Sequence, residues 1–309
     1  MSAIRISGLR KTYGDNVAVD DLSFEVAEGE VYGLLGHNGA GKSTTIEIME
    51  GHRERTGGEV SVLGLDPADG GRELRDRIGI VLQTSGTDVE LTVRETIELY
   101  GSAYRRRRTV DEVVDLVGLE EKVDARVASL SGGQKRRLDL GLGIVGYPEL
   151  LFLDEPTTGF DPAARRRSWE MIQGLCSLGT TVVLTTHYLD EAEQLADRVG
   201  VMARGKMVAE GTPAELMSAS PTTTISFELP HEVDPDALLV PATATYEQSG
   251  GATTCLIETT EPTRVLAEVM GAASSRGYEL TGISVRRPSL EDVFLGLAGE
   301  RPEGEEASA

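Results

Sequence analysis

Short, mostly apolar segments recur along this chain, and they restrict its fold more than any other feature. Each is four or five residues long and is bounded by glycine or polar residues: 31–35, 78–82, 150–153, 181–185 and 199–202. Such runs are typical of strands buried on both faces, and helical periodicity lies between them. Residues 4–9 and 22–26 instead alternate polar and apolar side chains. The pattern predicts an α/β fold with a mixed, mostly parallel sheet and antiparallel N-terminal strands.

Periodicity and composition divide the chain into two domains and a tail. The first domain covers 1–219, with an inserted helical subdomain at about 84–147. A linker at Ser220-Pro221 precedes a small α+β domain over 222–298. The elements expected in that domain are strands at 224–229, 253–258 and 278–286 and helices at 262–274 and 288–297. Residues 299–309 are polar and acidic, which predicts a disordered tail.

Composition argues against several classes of protein. Thirty Lys and Arg residues against fifty-one Asp and Glu residues give a formal net charge of −21, which disfavours binding to nucleic acid. No apolar run approaches the roughly 20 residues that span a bilayer, so a role at the membrane requires a partner. Cys176 and Cys255 lie far apart, which argues against a disulfide framework or a zinc knuckle. No secretory signal follows Met1, so we expect a cytosolic protein.

The strongest functional signal is a glycine-rich segment between a predicted strand and a predicted helix. It follows strand 31–35, opens helix 42–49 and reads Gly36-His37-Asn38-Gly39-Ala40-Gly41-Lys42-Ser43. This spacing fits the phosphate-binding loop of nucleoside triphosphatases. Backbone N–H groups and the helix N-terminus would face the anion, Lys42 would supply a cation, and Ser43 could coordinate Mg²⁺. A glycine-rich turn is the alternative, but the strand, loop and helix together favour a phosphate site.

Two adjacent carboxylates, Asp154 and Glu155, end the apolar strand 150–153. Sheets of α/β proteins bind ligands at the carboxyl ends of their strands, and neighbouring side chains point to opposite faces, so the two acids can have different roles. We expect Asp154 to hold Mg²⁺, directly or through water, and Glu155 to accept a proton from the attacking water. The alternative is a solvated acidic turn before Pro156, which the phosphate loop disfavours.

A second candidate anion site is the segment Ser131-Gly132-Gly133-Gln134, which opens a predicted helix. Its hydroxyl, its backbone donors and the positive helix end could bind phosphate, although an ordinary helix cap accounts for the segment equally well when it is taken alone. The order of motifs is more specific. A phosphate loop, then Leu-Ser-Gly-Gly-Gln, then an apolar strand with Asp-Glu resembles the ATP-binding subunit of an ABC transporter.

The resemblance covers about 4–217 and implies roles for further residues. Gln83 matches the glutamine that touches Mg²⁺ or the water and faces the membrane partner, and His187 matches the histidine that meets the γ-phosphate. Asp161 matches the D-loop aspartate, and Tyr13 the aromatic residue that stacks on adenine. The residues implied to be catalytic are Glu155, His187 and Gln83, and those implied to bind the metal are Ser43, Gln83 and Asp154. The residues implied to contact ATP are Tyr13, Gly36, His37, Asn38, Gly39, Ala40, Gly41, Lys42, Ser43, Thr44, Gln83, Ser131, Gly132, Gly133, Gln134 and Asp161.

The same resemblance implies a cycle and a set of partners. Two such domains meet head to tail, so that each ATP lies between the phosphate loop of one subunit and the segment 131–134 of the other. Hydrolysis then opens the dimer and drives an integral membrane permease. The implied cofactors are ATP and Mg²⁺, and a homodimer is the expected form of the second ATP-binding subunit. The implied location is peripheral, on the cytoplasmic side of the cell membrane.

Several strings resemble one branch of the family, the ABC-2 type exporter ATPases, which include those of drug and antibiotic resistance. The last of them is Ser289-Leu290-Glu291-Asp292-Val293-Phe294, after the small domain. His37 stands where many relatives have proline and Phe160 where leucine is usual, and neither change removes a charge or a donor. An importer ATPase and a soluble ATP switch remain the alternatives. The basic runs 105–108 and 165–167 predict either solvated helix faces or contacts with lipid or a partner.

Overall fold

The structure is a computed structural model with two compact units, Met1–Pro213 and Ala214–Ala309. The residues it describes are 1–82, 86–157, 160, 162–177, 179–186, 188–218, 222–229, 238, 240–241, 243–249, 252–286 and 289–290. Within these residues, no helix combines the length and the apolar character needed to cross a membrane.

The first unit is built from two sheets and the helices that cover them. Its strands are β1 (Ser2–Tyr13), β2 (Asn16–Ala27), β3 (Val31–Leu35), β4 (Gly57–Val62), β5 (Ile78–Val81), β6 (Leu150–Asp154), β7 (Thr181–Thr186), β8 (Arg198–Ala203) and β9 (Lys206–Gly211). Its α-helices are α1 (Lys42–Met49), α2 (Gly71–Arg75), α3 (Val93–Gly101), α4 (Val110–Val117), α5 (Gly132–Ile144), α6 (Pro162–Ser177) and α7 (Leu189–Leu195). Two short 3-10 helices cover Glu120–Lys122 and Val127–Ser129.

The central sheet has six strands in the order β5-β6-β7-β3-β8-β9. The first five are parallel, and β9 returns antiparallel to β8. Every residue of β3 and β7 is buried, which is why these strands show no alternation in sequence. The predicted α/β fold is therefore confirmed, and the carboxyl ends of β3, β6 and β7 lie side by side along one edge.

A separate antiparallel sheet has the order β2-β1-β4. Ile4 pairs with Val26 and Ile6 pairs with Phe24, and all four side chains are buried. The Phe24 ring also stacks on that of Tyr32 in β3, with ring centroids 5.1 Å apart. The alternation in the sequence thus reflects one face that packs on the core and one that meets solvent.

Helices α3 to α5 lie in the connection between β5 and β6, which are neighbours in the central sheet. Each of the three begins with a capping box, formed by Thr92, Thr109 and Ser131 with the Glu or Gln three residues later. Their buried faces share one apolar core with β6 and β7. Consequently the helix that begins within the segment 131–134 is anchored to the sheet that carries the acidic pair.

The second unit has a four-stranded antiparallel sheet. Its elements are β10 (Thr223–Leu229), β11 (Thr245–Ser249), β12 (Ala252–Thr259), α9 (Pro262–Ser275) and β13 (Thr281–Arg286), and α8 (Pro213–Ser218) lies at the division between the units. The strand order is β11-β12-β10-β13, and Phe227 and Ile257 form a core with Val265 and Val269 of α9. The sequence did not predict β11. The predicted helix 288–297 beyond Leu290 and the predicted tail 299–309 lie outside the described residues.

Candidate functional site

The glycine-rich loop connects β3 to α1 and closes tightly on neighbouring backbone. Gly41 has a left-handed φ of 104°, and a β-carbon there would lie 2.5 Å from the carbonyl oxygen of Ala18. At Gly36 a β-carbon would lie 2.6 Å from the carbonyl oxygen of Met202. Both positions therefore need glycine for space, and Gly41 also needs it for its conformation. The result is a loop whose backbone is held close to β2 and β8.

Lys42 places its ammonium group inside this loop. The side chain is 7% exposed, and Nζ donates to the carbonyl oxygens of Gly36 at 2.5 Å and His37 at 3.2 Å. Burial lowers the pKa of Lys42, while the carboxylates of Glu155 and Asp154 act in the opposite direction. The ammonium group therefore lies beside the position at which the resemblance expects phosphate. It can donate to phosphate oxygens in place of these carbonyl oxygens.

The loop opens into a cavity of about 770 Å³, a size typical of small-molecule sites, which we name the nucleotide cavity after the ATP contacts predicted to line it. The residues that line it are Tyr13, Asn16, Val17, Ala18, Asn38, Gly39, Gly41, Lys42, Ser43, Thr44, Asp154 and Glu155. Tyr13 is 40% exposed, with Lys11 Nζ 5.0 Å and the Arg53 guanidinium 5.3 Å from its ring centroid. The structure thus brings together the aromatic residue, most of the loop and both carboxylates that the sequence singled out.

The acidic pair is fixed by the neighbouring strand. Asp154 Oδ1 accepts a hydrogen bond from Thr185 Oγ1 at 2.5 Å, and Glu155 N donates to the Thr185 carbonyl oxygen at 3.0 Å. Glu155 has a left-handed φ of 46°, which is unusual for a residue other than glycine. The sharp turn at the end of β6 presents both carboxylates to the nucleotide cavity.

The signature segment, residues 131–134, does not line this cavity. Gln134 N donates to Ser131 Oγ at 3.3 Å, and Ser131 N donates to Gln134 Oε1 at 2.9 Å, which completes the capping box. A β-carbon at Gly132 or Gly133 would meet nothing within 4 Å. Ser131 and Gly132 are exposed, so the N-terminus of α5 is accessible from solvent.

Three predicted site residues, Gln83, Asp161 and His187, lie outside the described residues. Among the residues that the structure does describe, no group of three His, Cys, Asp or Glu side chains could hold a metal ion. Protein groups that could contribute to a shared metal site are the Ser43 hydroxyl and the Asp154 carboxylate, since both line the nucleotide cavity.

Sequence reasoning missed two buried acids near the site. Glu50, at the end of α1, is 5% exposed, and its Oε2 lies 3.2 Å from His52 Nδ1. Burial, and then the charges of Asp154 and Glu47, raise the pKa of Glu50 to about 8.

The second missed acid is Glu191 of α7, which is fully buried and accepts a hydrogen bond from Trp169 Nε1 of α6 at 3.2 Å. Burial raises the pKa of Glu191 as well. Neither residue was assigned a role from the sequence.

Sequence reasoning also gave no role to Arg136, on the second turn of α5. Its guanidinium donates to carbonyl oxygens at the end of β6, where the acidic pair lies, and at Leu82 just after β5. A run of basic residues on a helix is typical of a solvent-exposed face, so the contacts of Arg136 could be found only in three dimensions.

Comparison with known proteins identifies the family. The family model described as ABC transporter matches residues 19–158. A Nod factor export ATP-binding protein I from Rhizobium johnstonii is 41% identical, over 97% of this chain and 96% of its own length. This chain belongs to the ABC transporter family. It is an ATP-binding subunit of the export type, and proteins of this ABC family couple ATP hydrolysis to transport.

Further relatives agree with this assignment. The daunorubicin resistance ATP-binding protein DrrA2 of Streptomyces coeruleorubidus is 38% identical to this ABC protein, over 99% of this chain and 98% of its own length. A C-terminal domain described for ABC transporter domain-containing proteins matches residues 223–289. The resemblance to ABC-2 type exporter ATPases is thereby confirmed.

Solved structures agree on the fold of the first unit. An ATP-binding subunit of an ABC transporter has a TM-score of 0.63 and 29% identity, and the match covers 70% of this chain and 92% of that one. A dimeric ATP-binding cassette in a post-hydrolysis state, bound to ADP and Pi, has a TM-score of 0.61 and 25% identity, over 68% of this chain and 98% of that one. The ABC-type fold expected from the sequence is confirmed.

Proposed function

We propose that this export ATPase binds MgATP in the nucleotide cavity and hydrolyses it with Glu155 as the general base. The observation that carries the proposal is the convergence of Lys42, Ser43, Asp154 and Glu155 on one cavity beside Tyr13. Backbone donors and Lys42 would bind the phosphates, and Tyr13 would stack on adenine. The Glu155 carboxylate would accept the proton of the attacking water.

Ser43 and Asp154 would hold Mg²⁺, together with Gln83, which the resemblance adds. The ion would neutralise charge on the phosphate oxygens as the bond to the leaving group breaks. Thr185 fixes the orientation of the Asp154 carboxylate through a 2.5 Å hydrogen bond, so the ligand is positioned before the ion arrives.

A second ATP-binding subunit would complete each site. The signature segment does not line the nucleotide cavity of its own chain, and Ser131 and Gly132 are exposed, so the N-terminus of α5 is accessible to a nucleotide held by another copy. The dimeric cassette bound to ADP and Pi supports this arrangement. Asp161 and His187 would act at the same interface, His187 on the γ-phosphate. We expect a homodimer, because one chain carries both halves of a complete site.

A separate integral membrane permease would be the coupled partner, with this chain peripheral on the cytoplasmic side. A groove of about 470 Å³ supports a contact with such a permease. The groove combines apolar Ile80, Leu82 and Tyr100 with basic Arg72 and Arg75. Leu82 is 55% exposed and directly precedes the predicted coupling residue Gln83. The relatives are named for Nod factor export and for daunorubicin resistance. The cargo that we propose for this chain is a drug, antibiotic or lipid-like compound.

The substitution Glu155→Gln tests this function. The variant should bind MgATP like the wild type and lose most of its turnover, because the amide cannot accept the proton. Glu149→Gln is the matched control: it lies at the other end of β6, where the carboxylate pairs with Arg77, and its turnover should be unchanged. Wild-type hydrolysis by Glu155→Gln would refute the assignment of the base.

The same variant tests the coupling. Tagged Glu155→Gln, extracted from native membranes in mild detergent with ATP and Mg²⁺, should co-purify with a stoichiometric polytopic membrane protein that mass spectrometry can identify. Recovery of ribosomes or DNA-repair proteins instead would favour a soluble ATP switch.

A further inference from the structure

Arg136 makes an unusual set of contacts for a charged side chain. Its Nε donates to the carbonyl oxygen of Pro156 at 3.0 Å, and Nη2 donates to those of Asp154 at 2.9 Å and Glu155 at 3.1 Å. Its Nη1 donates to the carbonyl oxygen of Leu82. One guanidinium therefore holds the backbone of three consecutive residues at the catalytic end of β6 and the residue just before Gln83.

The chemistry of arginine suits this position. Its planar fork carries five donors in fixed directions, whereas a lysine ammonium at the end of a flexible chain cannot reach the same acceptors together. Burial lowers the pKa of Arg136, and carboxylates act against that effect, Asp139 most and then Asp154. The charge is thus kept in a poorly solvated place by surrounding acids and by carbonyl dipoles.

The neighbouring arginine has different contacts and provides a comparison. Arg137 Nη1 donates to the carbonyl oxygens of Val117 at 3.1 Å and Gly118 at 2.6 Å, at the end of α4. Arg137 therefore joins two helices of the insertion, and Arg136 joins the insertion to the sheet. Both are partly buried, both bind backbone carbonyls, and they stand on the same turn of α5.

The segment that Arg136 holds includes a strained residue. Glu155 has a left-handed φ of 46°, a conformation that is unfavourable for a residue with a side chain. Its N–H is held from the sheet by the Thr185 carbonyl oxygen, and its own carbonyl oxygen is held from the helix by Arg136. The direction of the Glu155 carboxylate consequently depends on where α5 lies.

We propose that Arg136 is a positioning residue for hydrolysis: it fixes the backbone that carries Glu155 and ties it to the helix that begins at the signature segment. The inference rests on the proposed function, in which that segment contacts the nucleotide of the other subunit. When the N-terminus of α5 contacts the nucleotide of the other subunit, α5 shifts. Arg136 then passes this shift to the backbone of Glu155, the general base of the same chain as α5. The general base of one site would then be aligned for hydrolysis only when the other site of the dimer holds a nucleotide.

The test compares Arg136→Lys with Arg137→Lys in the purified full chain, by equilibrium MgATP binding and steady-state hydrolysis. Arg136→Lys should keep its ATP Kd within about threefold of the wild type and lose about 10²-fold in kcat, because small misplacements of a catalytic group have effects of this size. The Hill coefficient for ATP should fall towards one. Arg137→Lys should keep both kcat and the Hill coefficient.

Arg136→Gln is the second variant, because a neutral amide left partly unpaired costs less than a buried ammonium. Equal kcat values for Arg136→Lys and Arg137→Lys would overturn the inference. So would loss of ATP binding in both Arg136 variants, since the residue would then be required for the fold. If Glu155→Gln is inactive while Arg136→Lys turns over normally, only this inference fails. If Glu155→Gln hydrolyses ATP like the wild type, the proposed function itself is refuted.

Discussion

Replacing Glu50 with glutamine should stabilise the protein, and the gain should grow with pH. The carboxyl group is 5% exposed, and its pKa rises from an ordinary 4.5 to about 8, chiefly because burial disfavours the charge. At neutral pH the folded protein therefore keeps a proton that the unfolded chain releases. Stability falls as pH rises between those two values, because the native state binds more protons than the unfolded state.

The magnitude follows from the width of that interval. Each pH unit between the two pKa values removes about 1.4 kcal/mol, so at pH 7 the ionisable group costs on the order of 3 kcal/mol relative to a neutral isostere. For a unit of this size, that corresponds to roughly 6–12 °C in Tm. The groups that face Glu50 are Asp154, Glu47 and His52. Because a cation beside Asp154 would favour ionisation of Glu50, the experiment is performed without nucleotide or Mg²⁺.

The assay is thermal denaturation of Glu50→Gln and wild type from pH 5 to pH 8. The difference in Tm should be small at pH 5 and increase steadily towards pH 8. Glu54→Gln, at an exposed position four residues further on, is the control and should show no trend. A Tm difference for Glu50→Gln that is constant over this range would refute the reasoning.

Two pairs of substitutions test packing and capping. Gly79→Ala should destabilise by about 1–3 kcal/mol in denaturant titrations, because its β-carbon would lie 2.0 Å from the Gly143 carbonyl oxygen. Gly174→Ala should instead stabilise α6 by about 0.5–1 kcal/mol, because a β-carbon at Gly174 would meet nothing within 4 Å. A loss of stability in this variant would contradict the helix assignment. Ser131→Ala and Thr109→Ala each remove a helix cap and should each cost about 1 kcal/mol, but only Ser131→Ala should also lower ATP turnover. Equal ATP turnover by Ser131→Ala and Thr109→Ala would show that Ser131 has no role in hydrolysis.

Local patterns were enough to predict the central sheet and the glycine-rich loop between β3 and α1. Strands buried on both faces appear as unbroken apolar runs, and a glycine-rich turn with this spacing between a strand and a helix is typical of a phosphate site. Within the predicted helical insertion, α4 shows both ends in the sequence, because a capping box precedes Val110 and Gly118 follows Val117. The strand β11 was missed because TYEQS carries no run of apolar residues.

Long-range contacts account for what the sequence could not supply. The carbonyl oxygens that Arg136 binds belong to residues 18 to 54 positions away, and backbone acceptors leave no trace in side-chain patterns. Glu50 looks like any other acid at a helix end, and only the packing around α1 makes it buried. The motif residues that share one cavity were predicted individually, and their roles as ligands and base remain proposals.

Trp169 is the sole tryptophan in the chain, and its surroundings make it an intrinsic reporter. Its indole N–H is bonded to Glu191, so the fluorophore on α6 senses the position of α7 directly. Indole emission changes with hydrogen bonding and local polarity, and the helix that carries Trp169 starts immediately after Asp161. Stopped-flow fluorescence could therefore follow a nucleotide cycle in real time on the unlabelled protein, with Trp169→Phe as the optical blank.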